Sequence, residues 1–228
     1  MTRTTNARVA GFTFLFYIAV ALTAMILSSR AASGVDTAAK LAGIAQHASD
    51  MRVAFVLDLL SCFCALVLAV TMYSITRDQD PDLALLALTC RVAEGVIGAV
   101  SLPSTLGRLW LATAAGADAP DPAAANALGA VLLKLPSWDS DIAATFFAVG
   151  STLFAYLLLR GRMVPVALAW LGVLASILAV VGLPLQLVGI LPGPIAKLMW
   201  FPMLAFEVPL GLWLLIKGAA MPPRRQSA

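Results

Sequence analysis

Six stretches of this chain, about 9–29, 53–76, 83–112, 141–159, 164–190 and 194–216, each carry roughly 20 or more residues with few charges. A helix needs about 20 apolar residues to cross the roughly 30 Å of hydrocarbon in a bilayer. In that medium every backbone amide and carbonyl must be satisfied within its own segment, so each stretch is constrained to a helix. The expected fold is an all-α integral membrane protein, a single transmembrane domain over residues 1–228 built as a six-transmembrane-helix bundle. The first stretch follows Arg3 and Arg8 as a signal peptide would. Its apolar core, Val9 to Leu27, outruns a signal h-region of about 7–15 residues, so it reads as an uncleaved span.

Composition closes off the soluble alternatives. The 228 residues are 61% hydrophobic and 12% charged, against roughly 45–50% and about 25% in a soluble domain. One water-facing core cannot bury that excess, which excludes a soluble enzyme or a nucleic-acid binder. The formal charge of +3 adds little, because basic residues flanking spans produce the same bias. Cys62, Cys64 and Cys90 all sit in apolar runs and read as small buried hydrophobes. No phosphate loop, nucleophile elbow or His/Cys metal spacing occurs, so neither a cofactor nor a metal is expected.

Basic residues orient the spans. With the N-terminus inside, the cytoplasmic side carries Arg3, Arg8, Arg77, Arg160, Arg162, Lys217, Arg224 and Arg225. The other side carries Arg30, Lys40, Arg52, Arg108, Lys134 and Lys197, spread over longer loops. Both termini are therefore expected in the cytoplasm. Two long connections, about 30–52 and 113–140, hold Ala-rich stretches at Val35 to Ala48 and Pro122 to Leu135. These predict one or two short interfacial helices on the outer side. Asp121-Pro122 marks the start of the second, with Asp as the cap and Pro in the first turn. His47, in the first, reads as a bystander.

The informative residues are charges where a span should have none. Asp58, Arg91, Glu94 and Glu207 are deep, and Asp139 and Asp141 sit where the fourth span begins. A charge at a helix centre costs about 2.5–3.5 kcal/mol to insert, so these side chains are expected to face inward. At about 1.5 Å per residue, Asp58 lies about 8 Å from the outer face, and Arg91 and Glu94 about 12 and 16 Å from the inner face. Glu207 falls near the midplane, ten residues from both Lys197 and Lys217. The set descends from the outer surface to mid-membrane, as the wall of an outward-opening crevice would.

Arg91 and Glu94 are three residues apart and can pair on one helix face. One arginine cannot neutralise three deep carboxylates, so Asp58 or Glu207 is expected to hold a proton or a cation. Pro202 and Pro209 flank Glu207, and Pro209 should release the carbonyl of Ala205 beside it.

The order of these features resembles a family of bacterial six-span membrane proteins catalogued as domain of unknown function 4386. The likeness rests on Arg8-Val9-Ala10-Gly11 opening the first span and on Arg52 with Asp58 in the second. It continues through Arg91 with Glu94, the run from Asp141 to Phe147, and Glu207 followed by Trp213-Leu214-Leu215-Ile216-Lys217-Gly218. Family members often carry a histidine just before the fourth span, where this chain has Trp138-Asp139. The resemblance implies a six-helix bundle with a polar interior and brings no activity with it.

Three functions fit these residues. The first is a pocket in the bacterial inner membrane, binding a small lipophilic or cationic molecule through Asp58, Arg91, Glu94, Asp141 and Glu207, as a transport or sensing component. The second is an intramembrane enzyme in which Glu207 or Asp58 acts as a protonated carboxylic acid on a lipophilic substrate such as an isoprenoid. The third is a ligand-free scaffold or accessory subunit. The lipid bilayer is the expected partner in each, and nucleic acid in none.

Overall fold

A computed structural model describes residues 2–115 and 119–220. Arg224 and Arg225, two of the charges expected on the cytoplasmic side, lie outside the described residues. All regular structure among the described residues is helical: α1 (Arg3–Ala31), α2 (Thr37–Gln46), α3 (Ala48–Thr76), α4 (Pro81–Thr113), α5 (Pro122–Arg160), α6 (Val166–Leu187), α7 (Gly193–Leu198) and α8 (Trp200–Ile216). Five of them, α1, α3, α4, α5 and α6, are long and apolar enough to cross a membrane.

Two expectations need correction. The stretch from Pro122 to Leu135 is not a separate interfacial helix. It is the first part of α5, which runs unbroken for 39 residues with Pro136 inside it. The helix does begin where Asp121-Pro122 predicts, with Asp121 Oδ1 accepting from the amides of Ala123 and Ala124, both at 3.0 Å. The stretch 194–216 is likewise not one helix, since the chain turns at Met199 between the six-residue α7 and the 17-residue α8. The turn puts Pro202 in the first turn of α8, where its missing N–H and fixed φ cost nothing.

The chain divides into two compact units. The first comprises Met1–Tyr17, Phe63–Gly95 and Asp141–Ala228, and the second Ile18–Cys62 and Val96–Ser140. The core of the second is small, with Ala31, Ile44 and Met51 fully buried among Leu109, Ala112 and Leu133. Beside it α2 is capped by Asp36, whose side chain accepts from the Ala39 amide at 2.7 Å.

In the first unit α6 packs the inverse of a helix in a soluble protein. On α6 the buried face is Ala169, Gly172, Val173, Ala175, Ser176, Ala179, Gly182 and Leu183. Trp170, Leu174, Ile177, Leu178 and Val181 point outward. Small residues inside let backbones approach, and large apolar residues outside suit lipid.

The closest approach joins α1 to α8. A Cβ built on Gly11 would lie 2.5 Å from the carbonyl oxygen of Gly211 and would overlap the backbone of Leu215. Only hydrogen fits there. At one end of this unit Arg3 donates to Met163 Sδ at 3.0 Å, and the amide of Ala220 donates to the Met163 carbonyl at 3.0 Å. Asp80, before α4, accepts from the Leu83 amide at 3.2 Å and from Arg160 Nη1 at 3.0 Å. The start of α1, the α3–α4 and α5–α6 turns and the end of α8 are thus tied together.

Two outcomes follow. Gly11→Ala forces α1 and α8 apart and should cost on the order of 1–3 kcal/mol, read as a lower thermal midpoint in detergent. The second concerns Asp80. The Leu83 amide, and then Arg160, hold its carboxyl below the usual range. A group more acidic folded than unfolded stabilises above the ordinary carboxylate pKa and loses that contribution as pH falls through the folded value. Stability of the wild type should therefore drop below about pH 4. Asp80→Asn keeps the cap but does not titrate, and should lose less on acidification.

Candidate functional site

The deep charges of the first unit gather around Arg91. It is 2% exposed, the largest fully buried side chain of the described residues. Its place on α4, one turn before Glu94, brings Nη1 to 2.8 Å from Glu94 Oε2. The pair is held by charge more than by direction: among the described residues neither Arg91 Nη1 nor Glu94 Oε2 finds an aligned hydrogen bond, and nor does Arg91 Nη2. Glu94 Oε1 is better served, accepting from the Tyr17 hydroxyl of α1 at 3.0 Å.

The neighbouring helices are shaped to admit this arginine. Its guanidinium carbon lies 4.8 Å over the ring of Phe147 on α5, within cation–π range. Phe147 is backed by Trp200 of α8, with ring centres 6.1 Å apart. One turn along α5, Gly150 leaves room for the arginine stem. A Cβ there would meet Arg91 Cγ at 3.0 Å and the Ala87 carbonyl at 3.1 Å.

Glu207 completes the cluster from α8 and is 6% exposed. Among the described residues it makes no hydrogen bond. With Arg91 and Ser151 it lines a cavity of about 10 Å³, otherwise walled by Phe14, Met72, Phe154, Phe206 and other apolar side chains. That volume is about the least that holds one water.

The remaining expected residues lie elsewhere. Asp141 belongs to the same unit and accepts from Gln186 Nε2 on α6, at 3.2 and 3.3 Å. Asp58 belongs to the second unit, half-buried on α3, and its charged neighbour is Arg108 of α4. Arg108 was expected as an outer flanking charge. It is instead 9% exposed, donates to Thr105 Oγ1 at 2.8 Å and interacts electrostatically with Asp58. Sequence reasoning also missed Tyr17, Phe147 and Ser151. A tyrosine inside an apolar run looks like any other large side chain until its partner, 77 positions away, is placed beside it.

Comparison with known families gives one match. The family model described as Domain of unknown function (DUF4386) covers residues 9–218. The chain belongs to this family. No curated protein and no solved structure matches it. Its five long apolar helices mark it as a membrane protein, and the matched region takes in all of Tyr17, Arg91, Glu94 and Glu207.

In this member Arg91 is the cation that both buried glutamates face. Replacing it with an apolar side chain leaves Glu94 without its counter-ion, and losing one partner of a buried pair costs about 3–5 kcal/mol. Arg91→Met should therefore unfold far below the wild-type temperature in detergent. Adding Glu94→Gln to it should restore most of the loss.

Proposed function

We propose that the chain is a six-span protein of the bacterial cytoplasmic membrane, with both termini cytoplasmic, whose Arg91–Glu94–Glu207 cluster binds a small cation as a transport or sensing component. In the space available that cation is a proton. One observation carries the reading: two buried carboxylates face a single arginine, and one of them, Glu207, lines with it a cavity of about 10 Å³. Arg91 neutralises one of them. The second needs a positive charge of its own, since an uncompensated anion in a low-dielectric interior is costly. A proton fits, whereas a lipophilic molecule or a substrate undergoing acid catalysis needs far more room. Asp58 lies in the other unit, where Arg108 is its charged neighbour.

The sixth crossing is supported by the ties at Met163. Arg3 and Ala220 both bond to that residue. A chain that starts and ends at one face has crossed an even number of times, and α8 supplies the return after five long helices. Its 17 residues rise about 26 Å, at the short end of what spans a bilayer. The basic residues of that face, Arg3, Arg77, Arg160, Arg162 and Lys217, favour the cytoplasmic side.

Infrared difference spectroscopy of the reconstituted protein tests the reading. A carboxylic-acid carbonyl band that titrates with pH should be present in the wild type, absent in Glu207→Gln and retained in Asp58→Asn. Its absence from the wild type, or its persistence in Glu207→Gln, overturns the proposal.

A further inference from the structure

The second unit holds a buried arginine of its own, and its neighbours leave it unfinished. Arg108 Nη2 donates to Thr105 Oγ1, while Nε is buried without a partner. Nη1 has no partner either among the described residues, and unlike Nε it is not shut off from the surface. Asp58 attracts the guanidinium from α3, yet the two do not close to ion-pair distance. The Asp58 carboxyl is half-buried and accepts no hydrogen bond among the described residues, so it too is open to an incoming donor.

α3 and α4 hold the two charges in this open arrangement. They meet where a Cβ on Gly98 would lie 3.2 Å from Cys62 Sγ. Asp58 is one turn from Cys62 on the same face of α3, and Ser101, Thr105 and Arg108 follow Gly98 on one side of α4. Ser61 and Ser101 donate to the carbonyls of Leu57 and Gly98 in their own helices, at 3.0 and 2.7 Å, so neither hydroxyl bridges acid and base. The 29 and 33 residues of α3 and α4 rise about 44 and 50 Å, more than the roughly 30 Å of hydrocarbon. Their ends therefore stand among lipid headgroups. Arg108, five residues or about 8 Å from the end of α4, lies where that layer meets the hydrocarbon.

We propose that Asp58 and Arg108 hold the headgroup of a membrane phospholipid that bears a primary ammonium, Asp58 accepting from the ammonium and Arg108 donating to the phosphate. The charge pattern selects this chemistry. A purely anionic headgroup meets Arg108 but is repelled by Asp58, and a bare cation meets Asp58 but is repelled by Arg108. A zwitterion gives each charge a counter-ion of its own. The guanidinium fork suits phosphate oxygens, and a primary ammonium offers three N–H donors where a trimethylated one offers none. Val56, Leu59 and Leu106, exposed on the same stretches of α3 and α4, suit the acyl chains. The site is independent of the proton at Glu207, which belongs to the other unit.

Native mass spectrometry of the full chain in detergent, with equimolar dioleoyl phosphatidylethanolamine, phosphatidylcholine and phosphatidylglycerol, tests the proposal. Phosphatidylethanolamine should be retained about tenfold over the other two, the worth of one charge-assisted hydrogen bond. Asp58→Asn should lose most of that preference, and Arg108→Gln should weaken retention of all three lipids. Equal retention of the three by the wild type overturns the proposal, and that comparison needs no variant to fold. A preference that survives Asp58→Asn overturns it as well. Soluble phosphoethanolamine, which has the headgroup without the chains, separates the sources: it should fail to displace the lipid. Its binding without retention of the lipid would overturn the membrane source and keep the headgroup chemistry.

Discussion

A guanidinium inside an apolar bundle must be met from several sides at once, and in the first unit that requirement organises the helices. α4 supplies Arg91 and, one turn on, its partner Glu94. α1 supplies the Tyr17 hydroxyl that engages the other oxygen of Glu94. α5 offers the face of Phe147 and the gap at Gly150, and α8 brings Glu207. Each helix meets the charge with a different chemistry: anion, hydroxyl, π-face, absent side chain. A change at Arg91 is therefore felt by all four.

Placing Glu207 there depends on glycine, not on charge. Lipid offers no hydrophobic drive for helices to associate, so close backbone packing has to hold them. Gly211 lies one helical turn beyond Glu207 and shares its buried face. Its carbonyl rests against Gly11 of α1, six residues before Tyr17. The same α1–α8 contact thus fixes the heights of the Tyr17 hydroxyl and the Glu207 carboxyl. Small residues set the distance between helices, and that distance decides which polar groups share a cavity.

Features that repeat along one helix were legible in the sequence. The apolar runs gave the long helices, the three-residue spacing gave the Arg91–Glu94 pair, and Asp121-Pro122 marked the start of α5. What escaped depends on other helices or on competition between signals. The expected interfacial helix ended at Leu135 and the fourth span began at Asp141, yet α5 runs straight through the residues between them, Pro136 included. Apolarity alone gave no sign of the turn at Met199, which leaves α8 at 17 residues. Arg108, near the end of its run, read as a flank because nothing local revealed that its face turns toward Asp58.

The two arginine sites differ in one respect that bears on what the protein does. Arg108 faces one carboxylate, Asp58, which is its counter-charge within the second unit. Arg91 faces two. Glu94, held by Tyr17 as well, already balances the charge of the arginine, so a cluster whose only task was to fix helix register would be neutral without Glu207. A leucine at that position would fill the space and demand no counter-charge. Instead α8 carries a buried acid next to a carbonyl released by Pro209, against a cavity of water size. The second carboxylate makes the charge balance depend on something that can arrive and leave, and this separates a site from a strut.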